Sequence, residues 1–128
     1  MQIPKQTRRG ARMKRIFVVD DSRTTIRIAA NVIRQISPDI EVISARSGDE
    51  AIELARDFED PPEVALIDFN MPGMNGIECA EQLMAILPDC KMVLCTANIQ
   101  STIQARASEA GMSFLGKPLS KNKLSAVL

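Results

Sequence analysis

Five polar residues directly follow or end short apolar runs of the sequence, and their types suit phosphoryl chemistry: Asp20, Asp21, Asp68, Thr96 and Lys117. If they are gathered at one place, three carboxylates repel one another unless a cation offsets their charge. An oxygen-only ligand set favours Mg²⁺, with Mn²⁺ as a substitute. An ammonium and a hydroxyl beside the cation could bind an incoming phosphoryl group, and a carboxylate that accepts it becomes an acyl phosphate.

Taken singly, each of these residues has a simpler explanation. Asp20 and Asp21 could cap a helix, and Asp68 could be an ordinary turn residue. Thr96 could cap a loop, and Lys117 could be solvated, as most lysines are. We predict a shared site because all five residues occur at the ends of predicted strands.

Apolar runs at regular spacing predict five strands, at Ile16–Val19, Ile40–Ala45, Val64–Ile67, Met92–Cys95 and Met112–Leu115. The third and fourth runs are almost unbroken, a pattern typical of parallel strands that are buried on both faces. Helical spacing fills the gaps, and crossovers of this length force parallel pairing with right-handed connections. We therefore predict a three-layer α/β fold, in which helices cover both faces of a five-stranded parallel sheet.

Local signals predict where the helices begin and end. Ser47 and Glu50 predict a capping box at the start of the second helix. Asn75 is predicted to cap the third helix. The fourth is predicted from Ser101 to Ala110, with Gly111 just beyond its end. In such a sheet, ligands bind outside the carboxyl ends of the strands, which is where the five polar residues fall.

Composition limits the other possibilities. The 128 residues suit one domain, and the absence of histidine excludes a zinc site made of Cys and His. Cys79 and Cys95 lie in apolar stretches and are predicted core residues, whereas Cys90 lies at a loop–strand junction and could be exposed. Three unpaired cysteines, no apolar run long enough to span a membrane and no apolar signal core predict a cytoplasmic protein.

The charge is distributed unevenly along the chain. Residues 1–15 hold six cations and no acid, so residues 16–128 hold the remaining ten cations against 16 acids. A basic segment of this kind could contact nucleic acid. No base-reading motif or aromatic stacking platform accompanies it, so we interpret residues 1–13 as a solvated, disordered arm before a domain at 14–128.

Four segments, in order and at matching spacing, resemble the receiver domain of two-component response regulators: Phe17–Ser22, Ala65–Gly76, Val93–Ala97 and Gly116–Pro118. The resemblance covers roughly residues 14 to 128. It implies a flavodoxin-like fold with strand order 2-1-3-4-5. It also implies a signalling switch rather than an enzyme. The phosphodonor would be a histidine kinase or a phosphotransfer protein, and the output partner or C-terminal output domain stays unidentified.

The resemblance implies the ligands of the metal and the phosphoryl acceptor. Asp68 would accept the phosphoryl group and also bind the metal. Asp20 and Asp21 would hold Mg²⁺ directly or through water. The backbone carbonyl of Asn70 would complete the metal shell, and together with Asn98 its side chain would flank the path of the hydrolytic water and set the rate of dephosphorylation.

The resemblance also implies the parts that bind the phosphoryl group and transmit the signal. Lys117 would pair with the phosphoryl group, and its peptide bond to Pro118 would be cis. Thr96 would move to bond a phosphoryl oxygen, and Phe114 would turn into the vacated space. The face formed by the fourth and fifth strands would then change its affinity for a partner. Phe114 lacks the hydroxyl of the common tyrosine, so this switch would rest on ring burial alone.

Two further departures from the family pattern, and two rival functions, stay open. Asn75 stands where many members have Asp. The chain ends eleven residues after Lys117, so the last helix, from Ser120, should be short, either by truncation or as a property of this member. One rival is a phosphorylation-independent interaction module of the same fold. The other is a phosphatase that forms an aspartyl phosphate, which usually needs a second acid at the position of Asn70.

Overall fold

The computed structural model of the protein describes residues 14–128. The five strands are β1 (Arg15–Val19), β2 (Glu41–Ala45), β3 (Val64–Ile67), β4 (Lys91–Thr96) and β5 (Ser113–Gly116). They form one parallel sheet in the order β2-β1-β3-β4-β5, which confirms the predicted topology. The predicted basic arm, residues 1–13, lies outside the described residues, as does most of the segment considered for nucleic-acid contact.

Five helices connect and follow the strands: α1 (Arg23–Ile36), α2 (Gly48–Arg56), α3 (Gly76–Ile86), α4 (Ser101–Glu109) and α5 (Lys121–Ser125). Side chains alternate between the two faces of each strand, so the sheet has two apolar cores. Phe17, Ile67 and Leu94 belong to the core shared with α2, α3 and α4. Ile16 and Val93 belong to the core shared with α1 and α5. The three-layer prediction is confirmed.

The predicted caps are confirmed with one correction. Asn75 Oδ1 accepts hydrogen bonds from the backbone N–H groups of the first turn of α3, and Glu78 Oε1 accepts the Asn75 N–H at 2.9 Å. Ser47 Oγ accepts the Glu50 N–H at 3.0 Å, as predicted. The Glu50 carboxylate, however, accepts the N–H of Arg46 at 2.7 Å, one residue before the cap. The capping box predicted at α2 is therefore wrong in its return bond, because the carboxylate satisfies the preceding N–H instead.

All three cysteines are buried, including Cys90 at the loop–strand junction. The burial of Cys79 and Cys95 is as predicted, and Cys90 is only 8% exposed. Its N–H donates to the carbonyl of Leu87 in the turn that follows α3, and the residue lies in the larger apolar core. Burial raises the pKa of the Cys79 thiol to about 11, and the pKa values of Cys90 and Cys95 to about 12.

The last helix is short, with five residues. Ser120 Oγ accepts the Lys123 N–H at 3.2 Å and so caps the helix, while Leu124 is fully buried against α1 and the sheet. No helix within residues 14–128 has the length and apolar character needed to cross a membrane.

Candidate functional site

The strand registers bring the predicted residues to one edge of the sheet. Val19 pairs with Ile67, so Asp20 and Asp68 are the next residues of adjacent strands. The Asp68 N–H donates to the Val19 carbonyl at 2.9 Å, which continues the ladder past the strand end. On the other side of β3, the Lys117 N–H donates to the Thr96 carbonyl at 3.0 Å.

Three carboxylates meet at this edge. Asp20 and Asp68 are buried, at 3% and 8% exposure, and Asp21 is exposed. One ligand oxygen of each lies within 4.8 Å of the others. A hard divalent cation such as Mg²⁺ favours oxygen ligands in this arrangement. The residues present therefore fit a magnesium site, as the sequence predicts.

A single ammonium is shared by two of the carboxylates. Lys117 Nζ lies 2.8 Å from Asp20 Oδ2 and 3.2 Å from Asp68 Oδ1. Burial lowers the pKa of Lys117, but the hydrogen bond to Asp20 and the charges of Asp68 and Asp20 outweigh it, so the pKa is raised. Lys117 is therefore a cation at neutral pH. One ammonium facing three carboxylates leaves the site short of positive charge.

Burial perturbs the pKa of the predicted acceptor. The pKa of Asp68 is raised, first by burial of the carboxyl and then by the negative charges of Asp20 and Asp21. The Lys117 ammonium opposes this shift but does not cancel it. Perturbed acids in a cleft are typical of functional sites. A bound cation would lower this pKa, because it favours the ionised carboxylate.

Asp20 is fixed by the beginning of α1. Its Oδ1 accepts a hydrogen bond from the Ser22 N–H at 2.9 Å, while its Oδ2 accepts one from Lys117 Nζ. Ser22 in turn caps α1 by accepting the Thr25 N–H at 3.2 Å. The carboxylate is thus held from both sides. Asp21, the next residue, is the exposed member of the three.

The loop from β3 to α3 is shaped by a close backbone approach at Gly76. The Gly76 N–H donates to the Phe69 carbonyl at 3.0 Å, and a Cβ atom at Gly76 would overlap the carbonyl oxygen of Asp68. Only glycine fits without displacing the Asp68 backbone. Sequence reasoning used Gly76 only as part of a motif and missed this role, since the close approach is a tertiary contact. Asn70 is exposed on the same loop.

Thr96 and Phe114 lie on the same face of neighbouring strands. Leu94 pairs with Phe114 in the parallel register, and Thr96 is two residues beyond Leu94. Thr96 is fully buried, and its Oγ1 accepts the Asn98 N–H at 3.1 Å. Phe114 is half-buried against the larger core. The two predicted switch residues are therefore positioned side by side, and Asn98 is bonded to one of them.

Lys117 borders an apolar cleft that the sequence reasoning missed. The Lys117–Pro118 peptide bond is cis, as the resemblance implies. A cleft of about 280 Å³ lies beside it, lined by Thr25, Ile28, Ala97, Lys117, Pro118 and Leu119. Ile28 is 49% exposed, which is unusual for a large apolar side chain in this chain. No local pattern could have revealed the cleft, because its walls come from three separate segments.

The family model described as the response regulator receiver domain matches residues 16–128. The chain belongs to the response regulator receiver domain family. Receiver domains are signalling switches of two-component systems, and this assignment confirms the family that the sequence motifs indicate.

The domain is similar to proteins of two kinds. It is 29% identical to the chemotaxis protein CheY of Thermotoga maritima over 112 residues, which are 87% of this chain and 91% of that protein. It is 36% identical to the transcriptional regulatory protein LiaR of Bacillus subtilis over 107 residues, 82% of this chain. That match spans only 49% of LiaR, so the chain corresponds to about half of such a regulator.

Solved structures of receiver domains share the fold. CheY4 of Vibrio cholerae superposes with a TM-score of 0.78 at 22% identity, over 91% of this chain and 96% of that one. A CheX–CheY–BeF₃–Mg²⁺ complex from Borrelia burgdorferi gives a TM-score of 0.79 at 23% identity, over 88% of this chain and 84% of that one. At these identities the likeness establishes the flavodoxin-like fold.

Proposed function

We propose that this receiver domain is a phosphoacceptor switch in which Asp68 takes up a phosphoryl group in a Mg²⁺-dependent reaction. One observation carries the proposal: Lys117 Nζ bridges Asp20 and Asp68 at an edge where three carboxylates converge. Two of these carboxylates are buried, the edge is negatively charged and short of cations, and it contains an acceptor oxygen. These are the properties that a site for phosphoryl transfer to a carboxylate requires.

The metal would be held by Asp20, Asp21 and Asp68, with the backbone carbonyl of Asn70 as a further ligand. When bound, Mg²⁺ or Mn²⁺ supplies positive charge that offsets the carboxylates and screens the incoming phosphoryl oxygens. Asp20 is held by the Ser22 N–H through its other oxygen, so its orientation does not depend on the metal. Asp21 is exposed and can meet a hydrated ion from the solvent side.

The phosphodonor would be a phosphohistidine of a histidine kinase or of a phosphotransfer protein. The N–P bond of the donor breaks, an O–P bond to the Asp68 carboxylate forms, and the freed imidazole takes its proton from solvent. Lys117 exchanges its contact with Asp68 Oδ1 for a phosphoryl oxygen. The apolar cleft beside Lys117, with the exposed Ile28, offers the donor protein a contact surface next to the acceptor.

The switch would start at Thr96. Its Oγ1 already accepts the Asn98 N–H, so the hydroxyl hydrogen is the part that can donate to a phosphoryl oxygen. Movement of Thr96 toward the phosphoryl group would leave space on its face of the sheet, which Phe114 is placed to fill. The β4–β5 face would change shape and its affinity for an output partner or output domain.

Asn70 and Asn98 would set the lifetime of the phosphorylated state. Both are amides near the acceptor edge, and Asn98 is tied to Thr96 through its backbone N–H. Neutral amides neither repel nor activate water as a carboxylate does. Asn70→Asp and Asn98→Asp are expected to change the dephosphorylation rate more than the affinity for Mg²⁺, which a phosphate-release assay and a metal titration measure separately.

The decisive experiment compares the wild type with Asp68→Asn in Mg²⁺, with acetyl phosphate for covalent labelling and beryllofluoride for reversible binding. Stoichiometric phosphorylation of the wild type alone by acetyl phosphate, located by peptide mass spectrometry, is the expected result. Labelling that survives Asp68→Asn would exclude the assignment. Absence of beryllofluoride binding in the wild type would instead favour the phosphorylation-independent module, and multiple turnover on a phosphomonoester would favour the phosphatase.

A further inference from the structure

The short helix α5 contacts the segment that carries Lys117. Lys123 Nζ donates hydrogen bonds to the carbonyl of Gly116 at 2.9 Å and to the carbonyl of Pro118 at 3.0 Å. These two carbonyls belong to the residues immediately before and after Lys117. One ammonium on α5 therefore bridges the backbone on both sides of the residue that reaches Asp20 and Asp68.

The segment has little else to hold it from the outside. β5 is an edge strand, so no further strand pairs with its outer side. Gly116 has no side chain, and Pro118 has no N–H to donate. α5 itself is anchored at its base, because Leu124 is fully buried and Ser120 caps the helix. Lys123 thus connects an anchored helix to the outer side of this segment, whose inner side is held by the hydrogen bond from the Lys117 N–H to the Thr96 carbonyl.

We propose that Lys123 is a positioning residue, which holds the Gly116–Pro118 backbone so that the Lys117 ammonium is aimed at the acceptor edge. Its effect on phosphoryl binding rests on the proposed function of Asp68. A lysine suits the task because its ammonium has three donors on a flexible stem, and two of them are used here. The bonds join a charged donor to backbone carbonyls, which makes them stronger than neutral ones.

The chain offers a matched control on the same helix. Lys121 is exposed and carries the same charge as Lys123, and no hydrogen bond or ion pair of its side chain is found within residues 14–128. Lys121→Met therefore removes an equal charge without removing the bridge. Lys123→Met removes both, and Lys123→Arg keeps the charge and can restore two donors. Because Lys123 is exposed, none of these changes disturbs the core.

The functional test measures the affinity for beryllofluoride in saturating Mg²⁺ and, separately, the affinity for Mg²⁺ alone. Lys123→Met is expected to weaken beryllofluoride binding about three- to tenfold, as expected for two exposed charge-assisted bonds. Lys121→Met should change it less than twofold, and Lys123→Arg should recover most of the loss. The Mg²⁺ affinity should not fall in Lys123→Met, because Lys117 competes with the metal for Asp20 and a loosened Lys117 competes less. Equal weakening in both Met variants, or a parallel loss of Mg²⁺ affinity, would overturn the proposal.

A second readout does not depend on phosphorylation. A hydrogen bond to a carbonyl alters the ¹⁵N shift of the amide that follows it, and here these are the amides of Lys117 and Leu119. Both should shift in metal-free Lys123→Met and stay unchanged in Lys121→Met. If the wild type failed to bind beryllofluoride while these amides shifted as expected, the role of Asp68 would be wrong and the bridge would stand. If the wild type bound it and the amides did not respond, the bridge alone would be excluded.

Discussion

Charged groups of similar type lie at both ends of the parallel strands, here called the amino edge and the carboxyl edge of the sheet, but only at the amino edge do their charges balance. At the amino edge, Arg15 Nε lies 3.2 Å from Glu41 Oε1, and the Glu41 side chain is 51% exposed. At the carboxyl edge, Lys117 is shared by Asp20 and Asp68, whose side chains are only 5% and 10% exposed. The ion pair at the amino edge is thus matched one to one, with the Arg15 side chain 16% exposed and Glu41 facing solvent. At the carboxyl edge, two buried carboxylates and the exposed Asp21 face one ammonium.

This difference explains why only one edge is suited to bind a ligand. An exposed ion pair contributes little, because water and salt already screen both partners. Buried carboxylates with too few neighbouring cations repel one another, so a bound cation stabilises them. Lys117 supplies part of the positive charge at the carboxyl edge, and a divalent cation can supply the rest. The same residue types therefore form a structural ion pair at the amino edge and a ligand-binding site at the carboxyl edge.

The largest expected effect is the contrast between Lys117→Met and Arg15→Met. Without Lys117, two buried carboxylates lose their shared partner, which should destabilise the metal-free protein by about 3 kcal/mol. Arg15→Met removes an exposed pair and a contact of the guanidinium with the Phe58 ring at 5.4 Å, and should cost about 1 kcal/mol. Urea unfolding in EDTA measures both free energies.

Mg²⁺ provides the control for this comparison. Saturating Mg²⁺ should restore more stability to Lys117→Met than it adds to the wild type, since the variant has the greater unmet charge. It should leave the effect of Arg15→Met unchanged. Equal losses in the two variants, or no rescue of Lys117→Met by the metal, would contradict the proposed imbalance between the edges.

A smaller effect is expected from pH. The pKa of Asp68 is raised in the folded protein, so the folded state binds this proton more tightly than the unfolded chain. Protonation of Asp68 therefore stabilises the folded state. This stabilisation is fully present below the unfolded pKa of about 3.9 and is lost as pH rises through the raised pKa of the folded state. The metal-free wild type should therefore lose stability over this window relative to Asp68→Asn. Urea titrations across pH measure the difference, and a flat difference would contradict it.

Much of the carboxyl edge could be predicted because strand ends are visible in the chain. Unbroken apolar runs mark β3 and β4, and a parallel sheet must bring Asp68 and Thr96 to the same edge. The resemblance added the roles of Asp20 and Lys117 and the cis bond before Pro118. Because parallel pairing aligns the strand ends, residues that follow the predicted strands in the sequence lie together in the site.

Features that depend on the path of a turn or loop, rather than on periodicity, could not be predicted in this way. Cys90 is buried by the turn after α3, although its position at a strand boundary left exposure open. Gly76 is required by the carbonyl of Asp68, and Lys123 reaches back to Gly116 and Pro118. In each case the deciding contact lies several residues away or more in the chain, and no periodicity records it.

The smallest expected effect uses two thiols, one at each end of β4, as probes of the two edges. Cys90 directly precedes the strand and Cys95 lies near its carboxyl end, and both have pKa values raised to about 12 by burial. Cys95 also experiences the charges of Lys117, Asp68 and Asp20, whereas Cys90 does not. Both should react slowly with N-ethylmaleimide at about pH 8 in the native protein. Mg²⁺ with beryllofluoride should slow Cys95 about threefold more than Cys90, because a ligand suppresses local opening at the edge that it binds. Peptide mass spectrometry gives both rates in one sample. Equal slowing of the two thiols would mean that the ligand stabilises the whole domain uniformly, and that the two edges are not distinct in the way their charges indicate.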